Sequence, residues 1–125
     1  MPAITQRPNL GDLLKYEAPN LYSRDAGTVA AGRNLLLGTV LGKRTADGKC
    51  AALDPSATDG TENAIGVLAA DTDATLIDHE DAILIARHAI VARSALVWPD
   101  TIAPAEKAAA EAQLAALGIL VRDAA

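Results

Sequence analysis

Residues 35–53 read LLLGTVLGKRTADGKCAAL and decide the fold, because two apolar runs flank a short polar turn. Residues 35–43 and 49–53 have the composition of β-strands, and Asp47-Gly48 between them is typical of a hairpin because both residues tolerate positive φ. Glycine inside or beside a strand marks bulges and sharp bends, and the first run is bordered by Gly32, Gly38 and Gly42. The stretch therefore predicts a kinked two-stranded ribbon.

The chain after this ribbon continues to favour β-structure. Residues 64–70 form a short apolar run bounded by turn residues, which predicts a buried strand. Residues 82–86 and 89–92 are apolar without strict alternation, which indicates strands buried on both faces. Residues 119–121 predict a final strand, and the acidic residues 71–81 predict a solvated loop.

One helix is predicted, over residues 104–117. Pro104 suits the first turn of a helix, and Gly118 suits its end. Leu114 and Leu117 are three residues apart, so we expect them to share the face that packs on the domain. The fold class predicted from the residues is mainly β with one C-terminal α-helix.

Residues 1–24 are predicted to form an extended arm, distinct from a domain over residues 25–125. Three prolines break helices in the arm, and it has no alternating run long enough to pair with itself. It nevertheless contains too many apolar side chains for a solvated segment, namely Ile4, Leu10, Leu13, Leu14, Tyr16, Leu21 and Tyr22. The arm either lies across its own domain or adds to another chain as an extended strand.

Composition limits the classes of partner. The 125 residues suit one domain, and the formal net charge of −5 is the wrong sign for binding nucleic acid or an anionic membrane directly. No transmembrane run or signal segment is apparent, so we expect synthesis in the cytoplasm. The single cysteine, Cys50, cannot form an internal disulfide. A core of small aliphatic side chains buries little area per residue, which favours an oligomer.

The sequence offers no set of catalytic residues. His79 lies in the acidic stretch and His88 in an apolar run, and neither has a nucleophile near it in sequence. Cys50 is expected to be a small hydrophobic residue. Residues 71–81 lack the spacing of a calcium-binding loop, and phosphate-binding and dinucleotide-binding motifs are missing from the sequence. We therefore expect a structural or binding subunit without catalytic residues, cofactor or metal.

Five segments of the sequence resemble, in order, the head decoration proteins of lambda-like phages and related prophages. The segments are GTVLG at residues 38–42, DGT at 59–61, AIGVL at 64–68, ALVWP at 95–99 and LAALGILV at 114–121. Each segment alone is a weak signal, but their order and separations are specific. The resemblance covers about residues 27–122, and it includes the arm only in general character.

This resemblance implies a β-clip-like fold, a bent ribbon with additional strands and a helix. It implies a homotrimer that binds the exterior of the expanded phage head, after assembly in the host cytoplasm, and stabilises the head against the pressure of packaged DNA. The partner would be the major capsid protein, bound by the apolar residues of the arm. Trp98 and Pro99 occupy a position shared with the family, and with Leu114 and Leu117 they are expected to serve packing or an interface.

Two other functions are weighed against capsid decoration. An outward-facing binding subunit of the virion would need an exposed aromatic platform, but the chain has only one tryptophan, two tyrosines and no phenylalanine. A trimeric β-clip nucleotide hydrolase would need an acidic motif set against serine and glycine on neighbouring strands. The sequence does not contain that arrangement.

Overall fold

A computed structural model describes residues 9–123 of the chain. Within these residues the helices are α1 (Leu10–Leu13) and α2 (Pro104–Ala116), with short 3₁₀ turns at Pro19–Leu21 and Arg93–Ala95. The strands in chain order are β1 (Leu14–Glu17), β2 (Arg24–Val29), β3 (Arg33–Leu35), β4 (Val40–Lys43), β5 (Cys50–Ala52), β6 (Gly66–Leu68), β7 (Thr72–Ala74), β8 (His79–Ile85), β9 (Ala89–Ala92) and β10 (Ile119–Arg122). The predicted class, mainly β with one C-terminal helix, is confirmed.

Five strands close into a barrel in the order β2-β5-β4-β6-β8. The predicted hairpin is its β4–β5 pair, which is antiparallel with Leu41 opposite Ala52. The Arg44 amide donates to the Lys49 carbonyl at 2.8 Å, so the turn is longer than a two-residue Asp-Gly turn. Only Gly48 of that pair has positive φ, at 71°. The hairpin is confirmed, while the β-clip label stays a prediction.

The predicted bend at Gly38 has a clear physical cause. Gly38 has a φ of 93°, and the carbonyl oxygen of Ala95 occupies the position that a Cβ would take. The Val97 amide donates to the Gly38 carbonyl at 2.8 Å, immediately beside this approach. Glycine is therefore required here by both backbone angle and space.

A second sheet has the order β1-β9-β10, so its central strand is β9. β1 pairs with β9 antiparallel, whereas β10 pairs with β9 parallel. A parallel pair needs a crossover, and α2 lies within the connection between β9 and β10. The predicted final strand is confirmed as β10. A third sheet consists of β3 and β7, paired antiparallel.

The core has two clusters. One joins the three-stranded sheet and α2 to one side of the barrel, and it includes the fully buried Val91, Leu114 and Val67. The other belongs to the barrel and includes Val29 and Leu41, also fully buried. Each cluster consists mainly of aliphatic side chains.

The strand predictions are right for β6, β9 and β10 but need correction at β8. All three residues of β6 are buried, as expected for the predicted strand. β8 instead alternates near its end, where Leu84 is buried while Ile83 is 39% exposed. The prediction of burial on both faces is therefore wrong for β8, because the outer face of the barrel is open to solvent at Ile83.

The prediction of one acidic loop over residues 71–81 is also wrong. β7 lies within this stretch, and β8 begins at His79, so only residues 75–78 connect two strands as a loop. Thr72 and Ala74 point inward and are buried, while Asp73 between them is exposed. Asp73 is thus the solvent-facing residue of an alternating strand, while Glu80 and Asp81 are consecutive exposed residues of β8.

The N-terminal segment folds onto the domain from Asn9 onward. The Asn9 side chain accepts from the Asp12 amide and begins α1, and Leu13 is completely buried. β1 follows directly and pairs with β9. Residues 10–17 therefore fit the expectation that the segment lies across its own domain. Ile4 lies outside the described residues, and the division into 1–24 and 25–125 stays a prediction.

The helix prediction is confirmed, with a difference at its end. Leu114 is completely buried, but Leu117 follows the last helical residue and is 38% exposed. Gly118, with a φ of 86°, then turns the chain into β10. Only Leu114 therefore occupies the expected packing position. Neither helix in the described residues has the length and apolar character needed to cross a membrane.

Candidate interaction surfaces

The residues considered for catalysis make no hydrogen bond to one another within residues 9–123, although Cys50 and His88 line the same groove. His79 begins β8 and is exposed, while His88 packs edge-on against Tyr22 with ring centroids 5.2 Å apart. Cys50 is buried in the barrel, and its burial raises the pKa of the thiol. Within residues 9–123, no group of three or more His, Cys, Asp or Glu side chains could hold a metal ion. Exposed apolar side chains are the remaining candidates for a functional surface.

The N-terminal segment presents three of them, which we call the tyrosine patch: Tyr16, Leu21 and Tyr22. Their exposed fractions are 53%, 60% and 54%. Leu10 and Leu14, from the same segment, instead pack against the core. The structure thus separates the predicted arm residues from Leu10 to Tyr22 into an inward set and an outward set, and within these described residues the outward set is exposed to a partner.

The tyrosine patch is held by a strained turn. Asn20 and Leu21 have φ values of 63° and 58°, a region that is costly for a leucine. The buried Ser23 braces the turn: its hydroxyl donates to the His88 carbonyl at 2.7 Å and accepts from the Ala18 amide at 2.9 Å. An apolar side chain is therefore presented to solvent on a strained backbone that the fold supports.

Charged groups fix the position of Tyr22. The Arg87 guanidinium lies 5.3 Å from the Tyr22 ring centroid and donates to the Tyr22 carbonyl at 2.7 Å. Arg87 also pairs with Asp25, whose carboxylate raises the pKa of the guanidinium. Tyr22 is therefore held by Arg87 and by the edge-on contact with His88, and the side chain is still 54% exposed.

The outer face of the three-stranded sheet extends this apolar surface. Tyr16 is opposite Ile90, and Ile90 is in turn opposite Leu120. Aligned residues on neighbouring strands point to the same side of a sheet, and this row is partly exposed while Ala89 and Ile119 are buried. β1 and β10 are the outer strands of this sheet, so within residues 9–123 each pairs with another strand on one side alone.

A second surface, the loop tip, is formed by Leu76 and Ile77 between β7 and β8. Their exposed fractions, 89% and 75%, are the largest among the big apolar side chains of residues 9–123. On one side, Asp73 accepts from the Thr75 amide and hydroxyl at 3.0 and 2.6 Å. On the other, Asp78 accepts from the Ala31 amide at 2.8 Å. Thr75 lowers the pKa of Asp73, and the Lys49 ammonium, followed by the Ala31 amide, lowers the pKa of Asp78.

A third surface is a groove of about 520 Å³ that includes the predicted Trp98 and Pro99. Val97 enters it from a parallel bridge with Thr39, and Trp98 is partly buried against the core. Leu36, at 46% exposed, also lines the groove. Trp98 therefore packs against the core, and both residues line the groove.

Sequence reasoning named the residues of the tyrosine patch within a larger set of arm residues, did not separate them from those that pack inward, and missed the loop tip. Leu76 and Ile77 fall inside a stretch assigned to a solvated acidic loop, where two consecutive large apolar residues were the available signal. Leu36 was assigned to a strand, and its exposure depends on the end of β3 at Leu35.

A mainly β domain that presents braced apolar side chains to solvent has the features of a structural binding subunit. The comparison with protein families specifies which one. The family model of bacteriophage lambda head decoration protein D matches residues 3–119, so the chain belongs to this family. The family is a structural one on the phage capsid and is not a known enzyme family. No curated protein matches the chain.

Proposed function

We propose that this protein binds the exterior of the expanded phage head as a homotrimer and stabilises it against the pressure of packaged DNA. Its partner is the major capsid protein, and it makes no direct contact with nucleic acid. The family match supports the class of function. The contact surface is inferred from the exposure of Tyr16, Leu21 and Tyr22. The other described leucines of this segment face the core.

The tyrosine patch suits a protein contact because of its chemistry. Tyrosine buries a large rigid area with few rotatable bonds, and its hydroxyl can hydrogen-bond at the rim of an interface. The positive φ of Leu21 gives a second argument, because strain at an exposed apolar residue is typical of binding segments. The tyrosine side chains and the strained backbone of Leu21 both belong to the tyrosine patch.

The free edge of β1 gives the capsid protein a further means of attachment. An extended segment of another chain can add to an open sheet edge, where backbone hydrogen bonds supply affinity. Tyr16 points outward from this strand, so a partner strand and the patch would engage together. The predicted strand addition then applies to β1.

Three copies would convert modest contacts into firm attachment. In a trimer, the first contact raises the effective concentration of the other two, so avidity exceeds the affinity of one site by about 10²–10⁴. Each trimer would tie neighbouring capsid subunits together, which opposes their separation under internal pressure.

Co-sedimentation with expanded and unexpanded heads tests this proposal. Saturable binding to expanded heads alone, near one copy per capsid subunit, is the expected result for the wild-type protein. The triple variant Tyr16→Ala/Leu21→Ala/Tyr22→Ala should lose affinity on the order of 100-fold or more, since interface hot spots are typically aromatic and act at every copy.

The matched control is Ile83→Ala/Leu117→Ala, which removes two apolar side chains that are 39% and 38% exposed outside the patch. This control should bind as the wild type does. Equal binding by the triple variant would show that the patch is not the capsid contact. Absence of wild-type binding to either form of the head would contradict capsid decoration itself.

A further inference from the structure

We propose that Ser23 is a positioning residue for capsid binding, whose hydroxyl holds the strained turn of the tyrosine patch in the conformation that the partner recognises. The inference rests on the proposed function, in which the tyrosine patch is the capsid contact. Ser23 is completely buried, so it would act through the turn that it supports and not through contact with the partner.

Two contacts close the base of the loop over residues 18–23, which we call the patch loop. The Ser23 hydroxyl accepts from the Ala18 amide at 2.9 Å, so one side chain joins the two ends of this loop. Immediately outside it, Arg24 donates to Glu17 in two hydrogen bonds of 2.8 and 2.7 Å. Two of the three patch side chains lie within the loop, so their positions depend on how its base is held.

The same serine anchors the patch loop to the body of the domain. Its hydroxyl donates to the His88 carbonyl at 2.7 Å, and its carbonyl accepts from the Ala86 amide at 2.7 Å. Residues 86–88 connect β8 of the barrel to β9 of the three-stranded sheet. Ser23 therefore fixes the loop where these two parts of the fold meet.

The patch loop would relax without this anchor, because its backbone is strained. Asn20 and Leu21 both have the left-handed conformation, with φ values of 63° and 58°. Asparagine tolerates this region, whereas leucine is unfavourable there and persists only where its surroundings enforce it. The Tyr22 amide donates to the Pro19 carbonyl at 3.3 Å, a long hydrogen bond that gives little support of its own. Loss of the anchor would therefore let Leu21 move.

Such movement would lower the affinity for the capsid without removing any contacting side chain. A partner that is complementary to one arrangement of the patch would have to order the loop on binding, and the cost of this ordering reduces affinity. In the wild type, the Ser23 hydroxyl provides that order before the partner arrives. Its contribution is expected in the affinity more than in the stability of the domain.

The fold itself should tolerate loss of the hydroxyl. The Ala18 amide also donates to the His88 carbonyl, at 3.2 Å, so in Ser23→Ala these two groups keep each other as partners. Thr72→Val is the matched control. Thr72 is 3% exposed, and its hydroxyl donates to the Ala70 carbonyl at 3.0 Å in β7, whose paired strand is β3. Each substitution thus removes one buried, hydrogen-bonded hydroxyl, but at different places in the fold.

Amide hydrogen exchange tests the anchor in the absence of the capsid. In Ser23→Ala, the Ala18 and Tyr22 amides should exchange at least about tenfold faster than in the wild type, because the loop opens more often. Thr72→Val should leave both rates unchanged. Unchanged rates in Ser23→Ala would overturn the inference, because the hydroxyl would then not hold the loop.

Co-sedimentation with expanded heads tests the effect on binding. Ser23→Ala should bind about tenfold more weakly than the wild type, since the loss of one hydrogen bond is repeated at each copy. Thr72→Val should bind as the wild type does. Equal affinity of Ser23→Ala and the wild type would contradict a positioning role.

A double-mutant cycle distinguishes positioning from a general effect on stability. Leu21→Ala removes a contacting side chain, so less is left for Ser23 to position in this background, and Ser23→Ala should then weaken binding only about threefold or less. A residue that merely stabilises the fold would have the same effect in both backgrounds. Equal effects would therefore reject the inference.

The outcomes also separate this inference from the proposed function. Loss of binding by the triple variant of the patch, together with full binding by Ser23→Ala, would leave the patch as the capsid contact and reject the role of Ser23. Full binding by the triple variant would reject both, because the patch would not be the contact.

Discussion

Gly38 shows how one residue can hold two parts of this fold together. Its missing side chain lets the Ala95 carbonyl approach the ribbon, and the Val97 amide then donates to the Gly38 carbonyl. Trp98 follows directly, so the position of the groove depends on this approach. The glycine thus helps to position the groove, although it does not line it.

Gly38→Ala should therefore destabilise the protein more than a change of backbone angle explains. We expect a loss of more than about 2 kcal/mol in the free energy of unfolding, because strain at positive φ is joined by a clash with backbone. Urea denaturation followed by Trp98 fluorescence measures it. Gly32→Ala is the matched control, since Gly32 also has positive φ, at 114°, but nothing lies within 4 Å of the added Cβ. Equal losses of unfolding free energy in the two variants would show that the close approach of the Ala95 carbonyl to Gly38 does not add to the cost of the substitution.

At the level of elements, the sequence was sufficient to predict a strand or helix whose structure depends on its own residues. The β4–β5 hairpin was predictable because Gly48 supplies the required φ, and α2 because proline begins it and glycine follows it. β1 was not predictable, since its structure comes from pairing with β9, more than 70 residues away in the sequence. β7 was missed for the same reason, because its partner β3 lies about 40 residues earlier.

The residues of the candidate surfaces also divide into those that could be predicted from the sequence and those whose exposure depends on tertiary packing. Tyr16, Leu21 and Tyr22 could be proposed from apolar residues in a proline-punctuated segment, but the inward turn of Leu13 depends on a core assembled from β9, β10 and α2. Exposure of Leu76 and Ile77 is likewise a tertiary property. A sequence lists apolar residues, whereas packing decides which of them face solvent.

The two leucines at the end of α2 give a test at this scale. Leu114→Ala should cost about 2–5 kcal/mol, the range for deleting a buried leucine side chain with incomplete collapse of the cavity. Leu117→Ala should change the free energy of unfolding by less than about 0.5–1 kcal/mol, as for partly exposed sites. Chemical denaturation of both variants at a concentration where they are monomeric is the measurement. Comparable losses would mean that Leu117 shares the buried face of Leu114.

At the scale of the whole molecule, an ion pair between Glu17 and Arg24 connects the three-stranded sheet to the barrel. Glu17 ends β1 and Arg24 begins β2, and their side chains form two hydrogen bonds of 2.8 and 2.7 Å. The bond from Arg24 lowers the pKa of Glu17 below its ordinary value of 4.5. Both groups are about a quarter exposed, so solvent weakens the link but does not remove it.

This pair should make part of the stability depend on pH. A carboxyl whose folded pKa is lowered contributes stability that is present above its ordinary value and is lost as pH falls through the folded pKa. Glu17→Gln should therefore flatten the decline of unfolding free energy below about pH 4.5 and lower stability at pH 7. Glu80→Gln is the control, because Glu80 has no side-chain partner within residues 9–123. Parallel curves for Glu17→Gln and the wild type would contradict the assignment.

The parallel pairing of β10 with β9 has a consequence for how the chain is made. β9 lies between β1, synthesised early, and β10, synthesised about 100 residues after β1. A nascent chain can pair β1 with β9 while Ile119 and Leu114 are still in the ribosome, and the cluster around Leu13 is then open on one side. Such an intermediate exposes both an apolar surface and a strand edge, which favours aggregation. Translation speed through α2 would then influence yield, because the period before β10 arrives is the period in which the half-formed sheet is at risk.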